Sequence, residues 1–281
     1  MLTTVLVPVD FSDECFDVLA FARGASALGV RSVVLTHVVE ASGMEGPIIA
    51  QKVDEARAKL QELAAPLAAD GYDVELRVPT GDTFDALTAL AAERGVDAIL
   101  AGSHAKGIVS QLVEGSVSER LIRDASVPLL MARFDLLCAA QDPAALLRRF
   151  GDVVVLPTDF SLSASRALMR VLEMPKGSIK MLYLLHVIDP GLSGEQLRRH
   201  EEGAEFHLKA LEAMAEQQGI PTSVVIRRGD PQREVLAELD ERRATGVITG
   251  TRGRNAVQEA LMGSVSMTLL RQASCPVLIV P

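Results

Sequence analysis

Cysteine is scarce in this chain, basic residues are outnumbered, and no apolar run is long. Its three cysteines, Cys15, Cys138 and Cys275, form neither a CxxC pair nor a zinc pattern. A sparse, odd set of this kind argues against a disulfide scaffold and fits a reducing, cytoplasmic compartment. Lys and Arg number 28 against 37 Asp and Glu, for a formal net charge of −9. Bulk electrostatics therefore draws the chain to neither DNA, RNA nor anionic lipid. An anionic ligand would need a local site built from backbone N–H groups. No stretch approaches the roughly 20 apolar residues of a membrane-spanning helix. The opening Met1 to Pro8 lacks the basic and long apolar regions of a signal peptide. G-x-S-x-G and H-E-x-x-H are both missing. Gly102 to Gly107 has the glycine spacing of a P-loop, but Ile108-Val109 follow in place of Lys-Ser/Thr.

What the chain does have is a repeat of itself. Val5-Leu6-Val7-Pro8-Val9-Asp10-Phe11-Ser12 returns as Val154-Val155-Leu156-Pro157-Thr158-Asp159-Phe160-Ser161, 149 residues on. Leu35-Thr36-His37-Val38 returns at the same offset as Leu184-Leu185-His186-Val187. Gly81-Asp82, Gly115-Ser116-Val117-Ser118 and Ala125-Ser126-Val127-Pro128 return after 148 residues as Gly229-Asp230, Gly263-Ser264-Val265-Ser266 and Ala273-Ser274-Cys275-Pro276. The period is too long for a solenoid, so each copy should be a whole domain. The 281 residues suit two domains of ordinary size. We read a first domain over 1–134, a linker over 135–149 with a helical turn or two, and a second domain over 150–281.

Each copy alternates strand and helix. In the first, strands are expected at Val5–Val9, Val33–Val39, Val74–Val78, Ala98–Ala101 and Val127–Met131. Helices are expected at Ser12–Leu28, Ile49–Ala69, Phe84–Arg94 and Val117–Asp124. The pattern predicts an α/β fold: two repeated domains, each a parallel five-stranded open sheet with helices on both faces. Such sheets bind ligands outside the carboxyl ends of the strands, where the strand order reverses. The closing strands, Val127–Met131 and Val277–Val280, are apolar edges expected to pair within the chain as a pseudo-dimer.

The segment after the fourth strand carries the chemistry. In copy two it reads Gly250-Thr251-Arg252-Gly253, nine residues, then Gly263-Ser264-Val265-Ser266. Glycines let a backbone approach a phosphate closely, and a helix opening at Ser264 offers N–H groups and a favourable dipole to an anion. This G-x2-G-x9-G-[S/T] spacing, the V-P-x-D-F-S opening and the L-H-V strand end resemble the universal stress protein family over nearly the whole chain, twice. The resemblance implies ATP binding with Mg²⁺ and a stress-response setting. It implies that Asp159 meets the adenine with backbone groups at Val187, and that Pro157 and Thr158 line the base and ribose pocket. It assigns ribose and phosphates to Gly250, Arg252, Gly253, Gly263, Ser264, Val265 and Ser266.

Copy one departs from the motif. Pro8, Val9, Asp10, Val38, Gly102, Gly115, Ser116, Val117 and Ser118 match, but Gly102-Ser103-His104-Ala105 puts Ala105 where the second glycine belongs and His104 where copy two has Arg252. A weaker site is expected there. Plainer readings stand beside these. Asp10 and Asp159 are also good helix caps, and the glycines good turn residues. His37 and His186 read as packed, hydrogen-bonded histidines rather than metal ligands. The leading function is an ATP-binding module whose occupancy is read by a protein partner or by assembly, including homo-dimerisation. The alternatives are a slow ATPase or phosphotransferase, for which no water-positioning base is evident, and a structural pairing module binding another ligand.

Overall fold

The computed structural model describes residues 2–103, 117–124, 126–188, 190–251 and 262–281. In the first repeat the chain runs β1 (Thr4–Pro8), α1 (Asp13–Ala22), a 3₁₀ turn (Ala25–Leu28), β2 (Ser32–Thr36), α2 (Gly46–Ala69), β3 (Asp73–Arg77), α3 (Thr83–Arg94), β4 (Ala98–Ser103), α4 (Val117–Asp124) and β5 (Leu129–Arg133). Two short helices follow, α5 (Phe134–Ala139) and α6 (Pro143–Arg148). The second repeat runs β6 (Val154–Pro157), α7 (Leu162–Leu172), β7 (Leu182–Ile188), α8 (Gly194–Gln217), β8 (Thr222–Arg228), α9 (Pro231–Arg242), β9 (Gly246–Gly250), α10 (Ser264–Gln272) and β10 (Val277–Val280).

The ten strands among the described residues join one sheet, in the order β3-β2-β1-β4-β5-β10-β9-β6-β7-β8. Pairing is parallel within each half, as expected of strand–helix alternation. The halves meet where β5 and β10 pair antiparallel, Met131 opposite Val277, Leu130 opposite Leu278 and Leu129 opposite Ile279. This is the edge-to-edge pairing expected from the two apolar closing strands. Strand residues alternate between faces, and both faces are buried. One core holds Val5, Val7, Leu130 and Leu278 under α1, α2, α7 and α8. The other holds Leu6, Leu129, Met131 and Ile279 under α3, α4, α9 and α10. Each core takes side chains from both repeats, so the cores run unbroken across the seam.

Some element ends differ from expectation. The first helix ends at Ala22 rather than Leu28 and gives way to the 3₁₀ turn over Ala25–Leu28; between them Gly24 lies where a Cβ would collide with the Ala144 carbonyl of α6. The connecting segment thus packs on α1, with Leu137 and Leu147 fully buried. β2 stops at Thr36, and Val39 keeps only an isolated bridge to Thr80. β5 sits two residues later than expected, at Leu129–Arg133. The repeated Gly-Asp pairs are strand-to-helix turns. Gly81 and Gly229 hold φ of 133° and 146°, and Asp82 and Asp230 cap the next helix by accepting from the N–H groups of Asp85 and Arg233.

Leu278 and Leu130 face each other across the seam and are fully buried. Leu278→Glu buries a charge with no counter-ion there. It is expected to destabilise the chain by about 4 kcal/mol or more and to lower the thermal unfolding midpoint by roughly 10 °C. An unchanged midpoint in scanning calorimetry would remove the seam's importance.

Candidate nucleotide site

The chain leaves β6 toward one face through α7 and leaves its neighbour β9 toward the other face through α10. The crevice between the carboxyl ends of β6 and β9 is therefore a switch point, and β1 and β4 make its counterpart in the first repeat. Sequence-selected residues gather at both.

In the second repeat Pro157 ends β6, half-buried. Thr158 is buried, extends the strand pairing through its N–H to the Leu185 carbonyl at 2.8 Å, and accepts at Oγ1 from the Phe160 N–H at 3.1 Å. Asp159 accepts from the Ser161 N–H at 3.0 Å. It is not the cap of α7: Ser161 is, its Oγ accepting from the Ala164 N–H at 3.2 Å. Between Asp159 and Ser161 stands Phe160, with φ of 61°. A non-glycine residue in this left-handed region costs roughly 1–2 kcal/mol. Its ring packs on His186, centroids 4.6 Å apart, and His186 Nδ1 lies 2.8 Å from the Thr158 carbonyl oxygen. Val187 is the neighbouring residue of β7.

The two ends of the glycine motif also meet. The Gly263 N–H donates to the Thr251 carbonyl at 2.8 Å, and the buried Ser266 hydroxyl donates to the Gly250 carbonyl at 2.7 Å. Ser266 thus spends its side-chain proton on β9, leaving its backbone N–H as the group it can offer an anion. Gly263 caps α10 with φ of −62° and ψ of 146°, and as glycine it supplies no capping side chain. The first-turn N–H groups at Ser264, Val265 and Ser266 lack intrahelical acceptors, as at every helix start. Ser264 is exposed and Val265 partly buried. Arg252 and Gly253 lie outside the described residues.

The first repeat copies much of this. Asp10 accepts from both the Ser12 N–H at 3.0 Å and the Ser12 hydroxyl at 2.6 Å. Burial pushes its carboxyl up, but the Ser12 bonds, together with His37, outweigh this and hold it below the ordinary carboxylate range. Phe11 has φ of 62° and packs on His37 at 4.2 Å, and His37 Nδ1 lies 2.8 Å from the Val9 carbonyl oxygen. Both histidines are packed and hydrogen-bonded, as read from the sequence. Pro8 ends β1, Val9 is buried and Val38 half-buried just beyond β2. Ser103 ends β4 with a buried hydroxyl that has no partner among the described residues. Val117 and Ser118 open α4. His104, Ala105, Gly115 and Ser116 lie outside the described residues. An open groove of about 490 Å³ between α1 and α2 borders the far side of this region, lined in part by Phe11, Leu19 and Leu63.

Two motif glycines have packing reasons of their own. A Cβ on Gly250 would come within 2.6 Å of the Ser163 backbone, and one on Gly102 within 2.5 Å of the Phe134 ring. What the sequence reading missed is the left-handed phenylalanine and its second neighbour. In copy two His207 of α8 packs on Phe160 at 5.1 Å, and in copy one Lys59 Nζ of α2 lies 5.1 Å from the Phe11 centroid. Lys59 and His207 are 148 residues apart, so the repeat itself held that signal.

Comparison with known proteins agrees with the repeat. The universal stress protein family matches residues 1–133 and again 152–281. A universal stress protein of Methanocaldococcus jannaschii is 30% identical over 138 residues, 45% of this chain and 80% of its own. One of Mycolicibacterium smegmatis is 25% identical over 292 residues, 98% of this chain and 96% of its own. The crystal structure of a universal stress protein from Archaeoglobus fulgidus aligns over 100% of this chain and 98% of its own, with a TM-score of 0.73 at 23% identity, a likeness of fold.

Gly250 has a packing role that can be tested apart from any ligand. Gly250→Ala has no room and is expected to destabilise by about 1–3 kcal/mol. An unchanged midpoint in urea unfolding of this variant would contradict the packing role.

Proposed function

Because the chain belongs to the universal stress protein family, we propose that it binds ATP at the switch point of its second repeat, as a nucleotide-dependent module read by a protein partner. The observation that carries this is the placement of α10. Its glycine-capped N-terminus stands at the carboxyl end of β9, beside the strand β6 that leads into Asp159. Backbone N–H groups and a helix dipole bind phosphate without any basic residue, which suits a chain of net charge −9. Asp159, Val187 and the Pro157-Thr158 strand end are assigned to the base and ribose. Gly250, Arg252, Gly253, Gly263, Ser264, Val265 and Ser266 are assigned to ribose and phosphates. Mg²⁺ would accompany the phosphates and offset their charge. The protein groups suit such a ligand by their chemistry, since helix-end N–H groups are donors for phosphates and a carboxylate is an acceptor for a base that offers N–H donors. The switch point of the first repeat, with Asp10, Val38, Gly102, His104, Gly115, Ser116, Val117 and Ser118, is the weaker site.

Calorimetric titration with ATP and Mg²⁺ is expected to show one tight site per chain, or two clearly separated ones. Asp159→Ala should weaken the tight site about two- to tenfold, the loss of one hydrogen bond to a neutral base. Unchanged affinity would return Asp159 to a local turn. Gly253→Ala should weaken it about ten- to thirtyfold, the penalty alanine carries relative to glycine wherever a phosphate loop calls for positive φ, while Ala105→Gly should strengthen the other. Two equal, independent sites in the unaltered chain would refute the inequality.

A further inference from the structure

Phe160 and Phe11 share positive φ, among non-glycine residues described, only with Arg243. Each directly follows the aspartate of its switch point. Glycine or asparagine is the cheap residue for such a backbone, and a bulky aromatic one an expensive choice. It persists only where surrounding contacts over-determine it. Those contacts recur in both repeats. One comes from the neighbouring strand: His186 packs on Phe160 at 4.6 Å and His37 on Phe11 at 4.2 Å, both tilted by 31°. That histidine also lies, through Nδ1, 2.8 Å from the carbonyl oxygen two residues before the phenylalanine, at Thr158 or Val9. The second contact comes from the long helix and differs in kind, His207 in one repeat and Lys59 in the other. A flat ring and a cation are both groups that an aromatic face attracts. The shared requirement is a grip on the ring, met by two chemistries.

We propose that Phe160 is a positioning residue for Asp159. Its ring is gripped by His186 of β7 and His207 of α8, fixing the left-handed backbone that aims the carboxylate at the nucleotide base. Phe11, with His37 and Lys59, holds Asp10 in the same way. The inference rests on the nucleotide-site reading above. The local geometry gives the grip its purpose: the residue after the phenylalanine donates its N–H to the aspartate carboxylate at 3.0 Å in both repeats. If the backbone at 160 relaxes, that bond and the carboxylate's direction go with it. A ring that merely filled the core would affect stability and leave base recognition alone.

The test uses the full chain and measures thermal unfolding, ATP affinity and the preference for ATP over GTP. Phe160→Gly adopts positive φ freely but has no ring to be held. It is expected to weaken ATP about tenfold and to shrink the preference, with Phe160→Tyr restoring both. His207 is exposed, so His207→Ala should fold normally and still weaken ATP roughly threefold, while His207→Lys, copying the other repeat, recovers the loss. Wild-type affinity in Phe160→Gly, or equal weakening of ATP and GTP, overturns the proposal and assigns the ring to packing. Wild-type affinity in His207→Ala overturns the helix arm of the grip. An unaltered chain that binds no ATP overturns the site reading and this proposal together. One that binds ATP, beside an undiminished Phe160→Gly, overturns this proposal alone.

Discussion

The antiparallel pairing of β5 with β10 is the contact on which the rest of the molecule depends. Each half by itself would end in a strand with an open row of N–H and C=O groups and two apolar faces. Joined, the two edges satisfy one another and the cores beneath and above the sheet become continuous. The pairing also fixes where chemistry can occur. Strands run parallel within each half and reverse at the seam, so the carboxyl ends of β1 and β4 point away from those of β6 and β9. The two switch points open at opposite ends of the sheet. They form separate crevices, and the repeats also touch through the connector packed on α1.

Why the seam forms at these edges, and not at the outer ones, follows from composition. β10 reads Val-Leu-Ile-Val and is wholly buried. The outer strand β3 reads Asp-Val-Glu-Leu-Arg, and its Glu75 pairs with Arg77 and Arg94. The other outer strand, β8, ends in Arg227 and Arg228. Arg227 is bound by Glu234, Glu238 and Glu241 of α9, and Glu238 is fully buried between Arg227 and Arg242. Charges on an outer strand discourage further strand addition. The sheet thus grows to ten strands and is guarded at both ends.

Much of this is legible in the sequence. The repeat, the strand–helix alternation and the two apolar closing strands point to parallel sheets covered on both faces and to the seam, while the strand order within each half comes from the structure. What sequence does not show are contacts between residues far apart. The connector, about 120 residues later, lies against Gly24 just past helix α1; no local pattern around Ala22 encodes that contact. The helical turns expected in the connector are there, but their burial against α1 is a tertiary fact. The left-handed phenylalanine is hidden for a different reason. Its residue type argues against the conformation it adopts, and the ring contacts that accompany it come from a neighbouring strand and a distant helix.

The glycines show how a motif can mislead about function. Gly102 and Gly250 both match the phosphate-binding pattern, yet each also answers a packing demand, from Phe134 in one half and from the Ser163 backbone in the other. Either demand keeps a glycine at the end of the fourth strand whether or not a nucleotide binds. The match at Gly102 therefore says nothing about ligand binding in the first repeat. The position on which the proposed discrimination rests is the next one in the motif, Ala105 against Gly253. Asp10, Phe11 and His37 retain the geometry of their counterparts, so the first repeat keeps the apparatus that orients its carboxylate. The proposed inequality of the two sites rests on the phosphate segment, where Ala105 and His104 stand against Gly253 and Arg252.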